Sequence, residues 1–181
     1  MNIVIFGAGA VGSLFGALLS KNNNVVLIGR KSHVDAIRRN GLTITGKTQL
    51  NTKIPAETTV ENLGIPVDLL MLTVKSYDTW NAINSVKNII NKETFVLSLQ
   101  NGLDNIEKIS KVVKHEKILA GTTTHAVVFN QPGIVTHTGV GYTVIGSLVN
   151  KKNKEVVKNI VTMFNNAGIK TKNSKDILSE I

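Results

Sequence analysis

The first 33 residues read MNIVIFGAGAVGSLFGALLSKNNNVVLIGRKSH (Met1–His33), and the fold turns on the segment Gly7-Ala8-Gly9-Ala10-Val11-Gly12 within them. Asn2–Phe6 before it is a short apolar strand, and the residues after it, from Ala10 to about Lys21, form an amphipathic helix with Leu14, Leu18 and Leu19 inward. Asn22–Asn24 ends that helix, Val25–Ile28 is a second buried strand, and Ser32 is the expected N-cap of a helix reaching about Asn40. Strand, glycine turn, helix and strand in this order open a doubly wound sheet. In the G-x-G-x-x-G spacing, Gly7 allows a tight turn, Gly9 a close backbone approach to a pyrophosphate, and Gly12 close packing of helix on strand. A plain packing turn satisfies the same spacing, so the pattern alone is weak. Its place between a buried strand and an amphipathic helix, whose first N–H groups and positive dipole end face the turn, is what favours a nucleotide.

The end of the second strand narrows the nucleotide. There a carboxylate would bind the ribose hydroxyls, but the sequence has Gly29-Arg30-Lys31-Ser32. A guanidinium pairs bidentately with a 2′-phosphate, which an Asp or Glu would repel. NADP(H) is therefore expected over NAD(H). The alternative is that Arg30 is a solvated loop residue.

Further along, Leu42–Ile54 alternates apolar and polar residues and reads as an antiparallel excursion closed by a turn at Gly46 and Lys47. Asp68–Val74 is a continuous apolar run between Pro66 and Lys75, the pattern of a central parallel strand. A helix over about Asp78–Ile90, a strand over Thr94–Leu99 and a helix from about Leu103 follow. Beyond Lys117 β-branched residues alternate with glycines, which predicts two or three strands with Gln131–Gly133 as a tight turn. A helix over about Lys152–Ala167 and a last strand, Ile169–Lys172, complete the unit. Asn173–Ile181 reads as the start of another helix with Ser174 as its N-cap. The expected fold class is α/β, a Rossmann-type doubly wound and mostly parallel sheet.

Composition excludes several functions. The 181 residues are 42% apolar and 18% charged, enough for one substantial core. Cysteine is absent, which removes disulfides, thiolate metal sites and thiol nucleophiles, and the four histidines lack the close pairing of a zinc helix motif, so no metal is expected. The net charge of +9 comes from scattered residues, including the runs Lys151–Lys154 and Ile169–Lys175, and aromatics are only 4%. That is a solvated lysine surface rather than a nucleic-acid footprint. No apolar run has the length of a membrane span and the first one lacks a basic leader, so a soluble, cytoplasmic protein is expected. Oligomeric state stays open, a homo-oligomer included.

Three polar clusters follow the carboxyl ends of predicted strands, the edge at which open α/β sheets bind ligands. They are TVKSYD with Lys75, LQNGLD with Asn101, and GTTTHAV, Gly121–Val127. Lys75 suits an acidic substrate or the cofactor, and the Asn101 amide suits a carbonyl, a ribose or a nicotinamide. Each has a plainer reading: Lys75 as a solvated strand terminator, Asn101-Gly102 as a turn pair, His125 as a satisfied core histidine.

GAGAVG, VKSYD, QNGLDN and GTTTHAVVFNQPGIVTHTGVGYTVIG, in this order, resemble the N-terminal domain of the ketopantoate reductases (2-dehydropantoate 2-reductases) over essentially the whole chain. The resemblance implies that Gly7, Ala8, Gly9, Ala10, Val11 and Gly12 hold the NADP(H) pyrophosphate and that Arg30 meets the 2′-phosphate. It also implies that Lys75 and Asn101 line the cofactor and substrate cleft, and that Val127 touches the cofactor. The implied reaction is NADPH-dependent reduction of the keto acid 2-dehydropantoate to pantoate, for pantothenate and coenzyme A synthesis. The family's proton donor is a lysine in a motif like W-x-K-L of a following helical domain. It is expected beyond Ile181, Lys175 is not its match, and no catalytic residue is assigned. The expected division is a cofactor-binding domain over residues 1–173 and the start of a truncated helical substrate domain over 174–181, inactive alone. A reductase of another 2-keto or 3-hydroxy acid and a non-catalytic NADP(H)-sensing module remain as alternatives.

Overall fold

The computed structural model describes residues 1–61 and 63–181, without the side chains of residues 150 and 151. Strand β1 (Asn2–Phe6), helix α1 (Ala10–Leu19), strand β2 (Asn24–Ile28) and helix α2 (Lys31–Asn40) form the opening unit. Strands β3 (Leu42–Gly46), β4 (Leu50–Thr52), β5 (Ala56–Glu57) and β6 (Leu69–Leu72) follow, then α3 (Thr79–Val86), β7 (Phe95–Ser98) and α4 (Asp104–Ser110). The last part holds β8 (Ile118–Thr123), β9 (Ala126–Gln131), β10 (Ile134–Gly139), β11 (Thr143–Ser147), α5 (Asn150–Asn166) and β12 (Thr171–Asn173). An eight-stranded sheet runs β12-β11-β8-β7-β6-β1-β2-β5, and a second sheet runs β4-β3-β10-β9. In the large sheet only β11 against β8 is antiparallel.

The parallel strands bury both faces, which is why they read as unbroken apolar runs. Successive residues alternate between two cores: Ile3, Ile5, Leu27, Leu69, Met71 and Leu97 enter one, while Val4, Val26, Leu70, Leu72 and Val96 enter the other. The first core includes Leu14 and Phe15 of α1 and Phe164 of α5, and the second includes Ile83 of α3 and Ile109 of α4. Leu42, Ile44 and Val135 of the small sheet belong to the first core as well, so α1 is covered on both sides. Phe15, fully buried, meets the rings of Phe164 and His125 edge-on, with centroids 6.0 and 5.7 Å away.

The structure corrects the sequence reading in four places. The segment after Lys117 makes four strands, not two or three, with β9 and β10 meeting at Gln131–Gly133 as expected. The hairpin β3–β4 joins them through a parallel β3–β10 pairing that lies far apart in sequence. Helix α2 starts two residues early, with Arg30 rather than Ser32 at its N-cap and no side-chain cap bond. The last segment forms a 3-10 turn at Ile177–Ser179 instead of a helix; Ile177 is buried in the core, and the Ser174 hydroxyl accepts the Asp176 N–H at 3.1 Å.

Candidate functional site

Phe6 stands abreast of Ile28 on one side and of Leu72 on the other, and Leu72 abreast of Ser98. The carboxyl ends of β1, β2, β6 and β7 therefore share one edge, and the chain turns off in opposite directions on the two sides of β1. That is a topological switch point, where ligands sit in open α/β sheets. The glycine turn, Arg30, Lys75 and Asn101 all emerge there.

The turn is held by backbone bonds. The N–H groups of Gly7 and Ala8 both donate to Ile28 O, at 3.0 and 2.8 Å, and the Thr73 hydroxyl donates to Gly7 O at 2.8 Å. Gly7 has φ +112°, and a Cβ there would stand 2.6 Å from Val74 N. A Cβ on Gly12 would collide with Gly7 O and stand 2.6 Å from the Thr73 hydroxyl. Gly9 is different: a Cβ there would meet nothing nearer than Gly7 O at 3.9 Å, so its bare face looks outward. No side chain caps α1 and its first turn holds no acidic residue, which leaves N–H groups and dipole open to an anion. This geometry fits a dinucleotide pyrophosphate.

Arg30 is exposed, and no side-chain bond to it occurs among the described residues. It sits beside the turn, since a Cβ on Gly29 would approach the Ala8 Cβ to 2.9 Å. Its helix is fixed to α1 by His33, which the sequence reading passed over. Gly133 N–H donates to His33 Nδ1 at 2.9 Å, so Nε2 carries the proton and donates to the Ser13 hydroxyl at 3.0 Å. Burial lowers the His33 pKa, in keeping with this neutral form.

Lys75 and Asn101 are both exposed, on the loops after β6 and β7. A buried polar chain joins those loops. Gln100 Nε2 donates to Val74 O at 2.9 Å and to the Thr79 hydroxyl at 2.7 Å, and its Oε1 accepts from Ser98 at 3.1 Å. Thr79 donates to Asn105 Oδ1 at 2.6 Å, and Asn105 Nδ2 donates to Asn101 O at 2.8 Å and Gly102 O at 3.0 Å. Sequence reasoning missed Thr73, Thr79, Gln100 and Asn105 because each acts by bonding partners remote in the chain.

The threonine-histidine stretch divides. Thr124 is exposed, whereas His125 is buried, its Nδ1 3.0 Å from His137 Nε2. His137 Nε2 also stands 3.0 Å from Gly139 O, which makes it the protonated nitrogen, and Thr48 donates to His137 Nδ1 at 2.9 Å. His125 thus holds the small sheet, although its Nε2 has no partner among the described residues. Burial, and then the neighbouring His137, lower its pKa. Val127 lies in β9 opposite His137, half-buried against the first core.

Among the described residues no group of three or more His, Asp or Glu is placed to hold a metal, and no helix is long and apolar enough to cross a membrane. Strand order, switch point and glycine turn together define the class, a Rossmann-type doubly wound α/β domain. The sequence model of the ketopantoate reductase PanE/ApbA family matches residues 3–150, and the chain belongs to that family. It is 43% identical to the 2-dehydropantoate 2-reductase of Pyrococcus horikoshii over 179 residues, 98% of this chain and 58% of that protein. The Halobacterium salinarum 2-dehydropantoate 2-reductase is 34% identical, with 94% and 57% covered. Among solved structures, a PanE/ApbA family ketopantoate reductase from Ralstonia eutropha aligns with TM-score 0.87 and 31% identity, over 98% of this chain and 57% of that one. A D-mandelate dehydrogenase with NADH and anilino(oxo)acetate aligns with TM-score 0.90 and 31% identity, over 98% and 58%. The chain thus spans a little under three fifths of the relatives it matches.

Proposed function

We propose that residues 1–173 are the cofactor-binding part of an NADP(H)-dependent reductase that converts 2-dehydropantoate to pantoate, and that residues 174–181 lead into a helical substrate domain. The observation that carries this reading is the outward face of Gly9 beside an Arg30 unpaired among the described residues: packing explains Gly7 and Gly12, while Gly9 leaves room for something outside the chain. The turn Gly7, Ala8, Gly9, Ala10, Val11 and Gly12 would hold the pyrophosphate, with the N–H groups in the first turn of α1 as its donors, Arg30 a 2′-phosphate, and Val127 an apolar part of the cofactor. When bound, a reduced nicotinamide supplies a hydride to a keto carbon. The Lys75 ammonium and Asn101 amide would orient the keto acid and the cofactor head, offering hydrogen bonds to the oxygen on which charge develops. None of residues 1–181 is assigned as proton donor; the family resemblance gives that role to a lysine of the following domain.

Fluorescence titration of the chain with NADPH and NADH tests the cofactor reading, and a ketopantoate assay tests the division of labour. NADPH should bind more tightly than NADH, with little or no turnover. Ordinary enzymatic turnover by these residues alone would overturn the assignment of the donor. The likeness to a mandelate dehydrogenase favours a second reading, an aryl 2-keto acid with NADH. Comparing 2-dehydropantoate with an aryl 2-keto acid, on a chain extended through a helical domain, decides between them.

A further inference from the structure

Asn-Gly occurs twice in the sequence, at Asn40-Gly41 and Asn101-Gly102, and the fold treats the two pairs in opposite ways. Both asparagines are exposed. Gly41 N–H donates to Ile37 O at 2.8 Å, closing α2, and a Cβ on Gly41 would stand 3.0 Å from Thr52 O, so this backbone is tied and crowded. Around Gly102 nothing lies within 4 Å of the corresponding position, and no bond from its N–H or from the Asn101 side chain occurs among the described residues. Gly102 has φ +94°, in the left-handed region that glycine adopts freely. Asn105 Nδ2 donates to Asn101 O, the carbonyl of the peptide whose nitrogen belongs to Gly102, at 2.8 Å. That bond withdraws electron density from the peptide and makes the Gly102 N–H more acidic.

We propose that Asn101-Gly102 is a site of self-catalysed deamidation and that Asn40-Gly41 is not. The Gly102 nitrogen, after losing its proton, attacks Asn101 Cγ. A nitrogen–carbon bond forms and closes a succinimide ring, the Cγ–Nδ2 bond breaks, and the amide leaves as ammonia with the proton from Gly102. Water then opens the ring at either carbonyl, leaving aspartate or isoaspartate at position 101; no oxidant or reductant takes part. The change puts a negative charge on the loop after β7, beside the loop that bears Lys75, at the edge proposed to receive an anionic cofactor and a keto acid. This consequence rests on the proposed function; the chemistry does not.

Incubation of the chain in warm, mildly alkaline buffer, followed by digestion and mass spectrometry, tests the site. The peptide holding Asn101 should gain the mass difference of amide-to-acid conversion several-fold faster than the peptide holding Asn40, and Asn101→Gln should resist conversion. Equal rates at the two pairs, or an intact Asn101 while a short unstructured Asn-Gly peptide converts, would overturn the proposal. Excess NADPH should slow the reaction, and Asn101→Asp should bind NADPH several-fold more weakly. An Asn101→Asp variant with unchanged affinity removes the functional consequence. Failure of the unmodified chain to bind NADPH at all sinks the cofactor reading and leaves the mapping result standing.

Discussion

Gly7, Gly9 and Gly12 share a motif, but they differ in what a side chain would meet. Gly7→Ala places a Cβ at a positive φ against the Val74 backbone, a strain on the order of 1–3 kcal/mol before the clash is counted. Gly9→Ala finds space and should leave the melting temperature nearly unchanged while NADPH affinity drops. Measuring both quantities on both variants separates a packing glycine from a ligand glycine. Arg30→Ala should remove the proposed charge-assisted phosphate contact, worth about 1.5–3 kcal/mol, so NADPH affinity should fall by roughly 10- to 100-fold with NADH barely affected. Equal losses for the two cofactors would show that Arg30 does not read the 2′-phosphate. Burial holds His33 below its ordinary value of 6.5, so the unfolded chain takes up a proton at a pH where the folded one stays neutral. Its contribution to stability is complete above about 6.5 and declines as pH falls toward the depressed folded value. His125 shifts in the same direction. Urea unfolding across this range should show a shallower pH dependence for His33→Gln than for the unmodified chain; parallel curves would exclude His33 as a source.

At the scale of elements, the strands and their connections answer different questions. β1, β2, β6 and β7 were legible because burial on both faces makes unbroken apolar runs, and β1 has the expected bounds, Asn2–Phe6. Their ends are set by the loops that leave them. The loops bearing Lys75 and Asn101 keep their spacing through the chain Ser98, Gln100, Thr79 and Asn105. Gln100→Leu strands Val74 O and the Ser98 hydroxyl, each worth about 1–3 kcal/mol when buried without a partner, and leaves the Thr79 hydroxyl with its bond to Asn105 alone. The midpoint of urea unfolding should move down, and Gln100→Glu should not restore it because a carboxylate cannot donate to Val74 O. An unchanged midpoint would mean that the two loops are held by something else. The network was invisible in the sequence because Gln100 and Thr79 are 21 positions apart and nothing local marks them as partners.

Across the whole molecule, α1 is the shared wall between the large and the small sheet. Phe15→Ala should destabilise by about 3–5 kcal/mol, the range for removing a buried aromatic ring. Because that ring lies in the core that both sheets share, circular dichroism and the fluorescence of Trp80 on α3 should report one coincident transition. Separate transitions would show that the small sheet unfolds by itself. Sequence alone determined the fold class, the glycine turn and the missing carboxylate at Arg30, since those depend on period, spacing and residue type within about one strand-helix-strand unit. Tertiary structure alone decided that Gly9 faces open space while Gly7 and Gly12 pack, that His125 is buried against His137 of the small sheet, and that β3 pairs with β10. These are contacts between residues distant in the chain, and local pattern carries no record of which distant partner will close them.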